Sequence, residues 1–391
     1  MLLNKFCGYS LPVRFEPTEL TPQELELQRG ARAFLRDALP QGSYEPGLGM
    51  DSGRDAAFSQ QLAKYGWIGV AIPTEYGGRN GTAVDRFVIT EELLRSGAPV
   101  THHWVADRQT APLLLKFGTE EQKRRFLPAI ASAEISFCIG MSEHEAGSDL
   151  TAVRTSATRT DGGWLLNGTK VWTSNAMDSD WFVILCRTGT DPDDRHAGLS
   201  QFLVDLRTEG VTRSPIPFLD PSTHFAEVLL DNVLVPDDCV LGVIGQGWVQ
   251  NTNELAYERG GPDRWLSTYG LVEAFIREYP EEAKAEQPAQ VIGEIVAKYW
   301  ALRRLSLSVA RSIDRKEAPA AESALVKEMG TRFEQDVIIA LQCLLDVEPR
   351  STSASVFERL LSRAILSGPS FTIRGGTIEI LRSVAMKGLV L

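Results

Sequence analysis

Apolar residues recur at helical spacing towards both ends of the chain and at strand spacing in its middle. Thr21-Pro22-Gln23-Glu24 forms a capping box with Pro at the first helical position, and predicts a helix running to about Ala38. Leu25, Leu27, Ala31, Phe34 and Leu35 lay an apolar stripe along it. Thr119-Glu120-Glu121-Gln122 is a second capping box, predicting a helix that ends near Pro128. Gly77-Gly78 and Gly81 mark a loop between two further helical stretches. From about residue 133 the period shortens. Trp164-Leu165-Leu166, Val171-Trp172-Thr173 and Trp181 to Leu185 are short β-rich runs, and Gln201 to Leu206 and Ala226 to Val235 add more. Asp161-Gly162-Gly163 and Asn167-Gly168 are turn signals that predict hairpins between these runs. A small antiparallel barrel or sandwich accommodates such strands. Helical patterning returns at Gly270 to Glu278, Val291 to Ser312, Ala321 to Leu345 and Ser355 to Leu366. The expected class is therefore α+β, divided into an N-terminal helical domain (1–132), a central antiparallel β domain (133–242) and a C-terminal helical bundle (243–391).

The chain has 391 residues, enough at about 150 per domain for two or three sizeable cores. Hydrophobic residues at 43% and charged residues at 23% exclude a largely disordered chain. A formal charge of −11 argues against nucleic-acid binding, which rests on basic contacts to phosphate. No apolar run reaches the length of a membrane span, and Met1 to Phe15 resembles neither a signal nor a transit peptide. The five cysteines (Cys7, Cys138, Cys186, Cys239, Cys343) are scattered without metal spacing, as expected of thiols in a reducing cytoplasm.

No Walker A, GxSxG or HExxH pattern occurs, and no Gly-rich turn joins a strand to a helix. His102-His103 are adjacent, so on a helix their side chains diverge by roughly 100° and do not suit one metal. Met141-Ser142-Glu143-His144-Glu145-Ala146-Gly147-Ser148-Asp149 is the most informative stretch. Gly147-Ser148-Asp149 admits a closely approaching ligand, yet the same residues make ordinary capped turns. In Lys170-Val171-Trp172-Thr173-Ser174-Asn175, Trp172 fits either core packing or stacking on a flat cofactor.

Together these segments resemble the flavin-dependent acyl-CoA dehydrogenase family. Ser142-Glu143 through Ala146-Gly147-Ser148-Asp149 matches its middle-domain hallmark, Ser/Thr-Glu-x-x-Ala-Gly-Ser-Asp. Gly118 to Lys123, Asn232 to Pro236 before Leu241-Gly242, and Gly375-Gly376-Thr377-Ile378-Glu379-Ile380-Leu381-Arg382 match three more of its motifs in order. The resemblance implies N-terminal helices, a β domain and a C-terminal four-helix bundle, with FAD held non-covalently. It implies that Ile139, Met141 and Ser142 line the flavin ring, and that Ser148 lies near the pyrophosphate or the CoA arm. Trp172 and Ser174 would pack on and hydrogen-bond the isoalloxazine, and Thr377 and Glu379 would approach it from the C-terminal loop. Arg259 follows the expected base and is a substrate-binding candidate.

The family reaction takes an α-proton from an acyl-CoA thioester and passes the β-hydride to flavin N5. In most members the base is a Glu before Gly-Thr in the C-terminal loop, and here that position is Gly375. Members of the isovaleryl-CoA type place it on a helix instead, which corresponds here to Glu258, with Glu254 one turn earlier as the second candidate. Desolvation beside an acyl chain would raise that carboxyl's pKa towards the working pH. Gly375 is left to polarise the thioester carbonyl through its backbone N–H, and the missing side chain leaves room for a branched or steroid-derived acyl group. The family's Arg-x-x-Phe-Gly motif is absent from Phe275 to Gln287, and Gln-x-x-Gly-Gly is broken at Gln342 to Asp346. These contacts normally serve a neighbour's FAD, so a homo- or heterotetramer is expected, α2β2 with a non-identical subunit being one form. An electron-transfer flavoprotein is the implied acceptor. A catalytically silent subunit, or a flavin oxidase or monooxygenase on the same fold, are the alternative readings.

Overall fold

The computed structural model describes residues 13–40, 42–219 and 224–389, with the side chains of 253–258 and 389 outside that description. It packs as two compact units: Ala31–Leu255, and Ala256–Leu391 joined by the segment ending at Gly30.

Both capping boxes form. Helix α1, Pro22–Ala38, begins where Thr21 N–H donates to Glu24 at 2.7 Å and Glu24 N–H donates to the Thr21 hydroxyl at 3.3 Å. The helices α2 (Ala56–Lys64), α3 (Ala83–Arg95), α4 (Thr101–Val105) and α5 (Ala111–Phe117) follow, with a π-helical turn at Ala106–Thr110 between the last two. Helix α6, Glu120–Ala131, starts at the Thr119 box and runs past Pro128. Proline removes only its own N–H, and its carbonyl still receives Ser132 N–H at 3.0 Å, so the last turn survives. Gln122 closes the box and also donates to the carbonyls of Asp238 and Val240, at 2.7 and 2.8 Å.

The eight-stranded sheet runs in the order β6-β7-β3-β2-β4-β5-β8, with β1 beside β4. The strands are β1 Phe137–Gly140, β2 Ser156–Thr160, β3 Gly163–Ser174, β4 Trp181–Arg187, β5 Leu199–Asp205, β6 Val211–Ile216, β7 Phe225–Val235 and β8 Val240–Leu241. The expected all-antiparallel sheet is corrected at β4, which β1 meets in parallel along Phe137↔Trp181 to Gly140↔Ile184 and β2 meets at Ser156↔Arg187. The expected turn at Asn167-Gly168 is a second correction. Asp161-Gly162 does turn the β2–β3 hairpin, but Asn167-Gly168 lies inside one long strand as a bulge against β7. Gly168 has φ +146°, and a Cβ there would sit 2.6 Å from the Thr155 hydroxyl, so the glycine serves a close approach rather than a reversal. Strand β4 is covered on both faces: Phe182, Val183, Ile184, Leu185 and Cys186 are fully buried, which is why it reads as an unbroken apolar run.

In the other unit, α8 (Tyr269–Glu278) packs on α12 (Val356–Phe371), α12 on α11 (Ala320–Gln342) and α11 on α10 (Glu286–Asp314), with α9 (Pro280–Lys284) a short link between α8 and α10. A further helix, α13 (Ile378–Leu389), seats Leu381 and Ala385 against Ala324 of α11. Gly330 lets α11 approach the turn at Pro262–Arg264, where a Cβ would lie 2.4 Å from the Arg264 carbonyl. Glu24 pairs in a fork with Arg311 of α10, both bonds 2.6 Å.

Among the described residues no helix is long and apolar enough to cross a membrane. Cys138, Cys186 and Cys239 are buried and Cys343 is exposed; Cys7 lies outside the described residues. His102 and His103 are buried and turned apart, His102 Nε2 towards the Ala133 carbonyl at 3.1 Å and His103 Nδ1 towards the Ser59 hydroxyl at 2.9 Å. Burial pushes the His103 imidazole down to about 3.

Candidate active site

The Ala31–Leu255 unit gathers one set of the expected residues. Ile139 is on β1, and Met141 and Ser142 form the half-exposed turn that leaves it. The Ser142 carbonyl accepts Val171 N–H of β3 at 3.0 Å, which ties the turn to the strand carrying Trp172 and Ser174. Simple alternation would put Lys170 and Trp172 on one face. Instead Lys170 is fully buried and Trp172 is 56% exposed. The register against β7 shifts between Lys170 and Thr173, and Trp172 has φ +58°. A left-handed tryptophan inside a strand costs on the order of 1–2 kcal/mol and leaves a large ring in the open. Its edge meets Phe225, ring centroids 5.9 Å apart at 85°. Ser174 stands half-buried at the strand's end opposite Phe225. Ser148 is exposed in the following turn, where the neighbouring Asp149 is held by Arg195 at 2.7 and 2.6 Å.

The Ala256–Leu391 unit holds the C-terminal loop. Gly375 and Gly376 have φ +64° and +96°, conformations that suit glycine in both places. Both carbonyls are gripped by cations: Arg259 Nε donates to Gly375 O at 3.3 Å and the fully buried Lys327 donates to Gly376 O at 2.5 Å. Arg259, expected on the substrate, is thus buried against this loop. Thr377 is half-buried ahead of α13, and Glu379 is exposed in that helix's first turn. A hydrogen bond from its own backbone N–H, then one from Thr377, holds the Glu379 carboxyl below its usual range. Glu258 ends helix α7, Gly247–Glu258, and Glu254 is one turn earlier; both side chains lie outside the described residues.

A buried charged group behind the loop escaped the sequence reading. Glu334 of α11 is fully buried and accepts Ser267 N–H at 2.7 Å, with Arg374 Nη2 4.0 Å away. Burial pushes this carboxyl up to about 7, against the pull of Arg374 and Ser267. The signal was a glutamate on the apolar face of a helical repeat. A second ion pair, fully buried Lys170 with partly buried Glu143 at 2.8 Å, was unmarked as a pair too.

Residues 21–134 match the model of the acyl-CoA dehydrogenase N-terminal domain, and 138–233 that of the middle domain. The chain is 36% identical over 273 residues to acyl-CoA dehydrogenase IpdE1 of Mycobacterium tuberculosis, covering 68% of each. It is 34% identical over 331 residues to acyl-CoA dehydrogenase FadE34 of the same organism, 84% of this chain but 45% of that one, so it spans under half the length of that relative. The solved Tcur3481-Tcur3483 steroid ACAD superposes with a TM-score of 0.82 at 29% identity, covering 95% of this chain and 98% of its own. The ChsE4-ChsE5 complex of M. tuberculosis gives 0.80 at 26%, covering 96% and 98%.

Fold and motifs together define an FAD-dependent oxidoreductase of the CH–CH class. The chain belongs to the acyl-CoA dehydrogenase family. The residues present fit its cofactor: an exposed, backbone-strained tryptophan beside a half-exposed Met-Ser turn offers a flat apolar face with polar groups at its edge.

Proposed function

We propose that this protein removes the α- and β-hydrogens of an acyl-CoA thioester to give a trans-2-enoyl-CoA, with Glu258 as the α-proton base. Its three regions divide near residues 132 and 242. The observation that carries this reading is the C-terminal loop. Gly375 stands where a carboxylate would otherwise project, in a conformation that suits glycine, with its own carbonyl and the next held from behind. A loop built this way presents backbone and not a base, so the proton acceptor comes from elsewhere, and Glu258 at the end of α7 is the candidate, with Glu254 second.

Bound FAD supplies the acceptor for the β-hydride. Trp172, Met141 and Ile139 would pack on its ring, Ser142 and Ser174 would hydrogen-bond its edge, Ser148 would serve the pyrophosphate or the CoA arm, and Thr377 and Glu379 of the C-terminal loop would contribute further contacts. Gly375 N–H polarises the thioester carbonyl and so stabilises enolate-like charge, an effect worth a few kcal/mol per donor. The volume freed at Gly375 admits a bulky acyl group, branched or steroid-derived. Similarity to a steroid ACAD supports this substrate class. Likeness to the ChsE4-ChsE5 complex supports assembly with a non-identical subunit. An electron-transfer flavoprotein is the proposed acceptor, and a reducing cytoplasm the compartment.

A panel of linear, branched and steroid side-chain CoA esters, mixed anaerobically with the purified protein, tests the reading through bleaching of the flavin band. Preference for bulky esters is expected, and Glu258→Gln should keep the oxidised spectrum while abolishing bleaching. A Glu258→Gln variant that bleaches at the parent rate removes Glu258 from the mechanism. A parent that bleaches with no ester points to the silent subunit.

A further inference from the structure

We propose that Lys170 and Glu143 are positioning residues for the cofactor, a buried ammonium and a partly buried carboxylate that together set the Met141–Ser142 turn and, through β3, the pose of Trp172. The inference rests on the reading that this turn and this ring face FAD.

Lys170 is fully buried, and its Nζ donates to Glu143 Oε1 at 2.8 Å and to the Met141 carbonyl at 3.2 Å. The same carboxylate collects three further donors: Thr155 N–H at 2.9 Å, the Thr155 hydroxyl at 2.5 Å and Arg154 N–H at 2.8 Å. Glu143 and Ala146 exchange backbone hydrogen bonds of 2.8 and 3.2 Å across the intervening turn. One carboxylate thus anchors both ends of the segment from Glu143 to Thr155, and one ammonium ties it to the strand bearing Trp172. The lysine stem is packed tightly as well. A Cβ on Gly140 would lie 3.1 Å from Lys170 Cγ and 2.1 Å from Phe182 Cζ.

Stability alone is a weak reason for such a pair. Two charges taken out of water cost several kcal/mol each, and an apolar pair of similar volume is often as stable. Orientation is a better one. In a trans peptide the C=O and N–H point in opposite directions. Drawing the Met141 carbonyl onto Lys170 therefore aims Ser142 N–H the other way, away from the buried ammonium. The bulge that exposes Trp172 begins at the residue after Lys170, so the ammonium fixes the last regular position of β3 before the strained one.

The test uses Lys170→Met/Glu143→Gln, which removes the pair without stranding a charge, and Thr155→Val, which removes one donor from the carboxylate. FAD affinity of the apoprotein is read by fluorescence quenching, the flavin band by absorbance, and the fold by melting of the apoprotein. The double variant is expected to melt near the parent yet bind FAD about ten- to a hundred-fold more weakly, the scale of one lost hydrogen bond to a charged group. Its flavin band should also shift. Thr155→Val should weaken FAD about ten-fold, the lower end of the scale for a bond to a charged group. A double variant or a Thr155→Val protein with parental FAD affinity and band overturns the proposal; should the double variant not fold, Thr155→Val decides. Trp172→Ala separates this outcome from failure of the site assignment. If it too binds FAD as the parent does, the assignment of this face is wrong; if it alone loses affinity, only the positioning role falls.

Discussion

Glu334 gives this fold a pH dependence opposite to that of an ordinary salt-bridged carboxylate. Its side chain is fully buried, and burial outweighs the nearby Arg374, lifting the carboxyl from 4.5 to about 7. Below the unfolded pKa the acid is neutral in both states and contributes no pH dependence. Between 4.5 and about 7 the folded form holds a proton that the unfolded form has released, so stability falls as pH rises through that window. At roughly 1.4 kcal/mol per pKa unit, the loss above pH 7 amounts to about 3 kcal/mol. Glu334→Gln keeps an oxygen for Ser267 N–H and cannot ionise. Urea unfolding of both proteins with excess FAD, at steps from pH 5.5 to 8, isolates the effect as their difference. The Gln variant should match the parent most closely at the acid end and exceed it by up to about 3 kcal/mol at pH 8. A difference that stays constant across the range would show that Glu334 does not titrate there. A parent that gains on the variant as pH rises would mean that the attraction of Arg374 overrides burial.

Other positions respond in ways the packing sets. Gly140→Ala forces a methyl to within 2.1 Å of Phe182 Cζ, a fully buried ring, and should cost about 1–3 kcal/mol in urea unfolding; a smaller loss would mean that the ring can move aside. Thr119→Ala removes the acceptor for Gln122 N–H and should lower stability by about 1 kcal/mol by the same assay. Trp172→Gly relieves a positive φ while losing an exposed ring, so the apoprotein should change by no more than about 1 kcal/mol. Its FAD affinity should drop measurably in fluorescence titration, and an unaltered affinity would count against a stacking role for Trp172.

Much of the fold was legible because local signals and tertiary packing agree. The boxes at Thr21 and Thr119 specify helix starts through hydrogen bonds confined to one turn. The apolar run at β4 specifies a strand buried on both faces. Asn167-Gly168 misled because its local preference for a turn is weaker than the pairing of β3 with β7, and Gly168 is needed for its contact with Thr155. Helix α13 was missed although its Leu381 packs on α11, since a helix that short is stabilised mainly by what it packs against.

By itself the chain determined the order of helical, β and helical regions, the family motifs and the loss of a carboxylate at position 375, because each resides in residue identity or short-range spacing. Only the tertiary structure decided that Lys170 turns inward while Trp172 turns out, that Lys327 and Arg259 converge on consecutive glycine carbonyls, and that Glu334 is sealed from water. Those facts depend on which elements meet, and on the dielectric each charge meets there. Residues far apart in sequence set both.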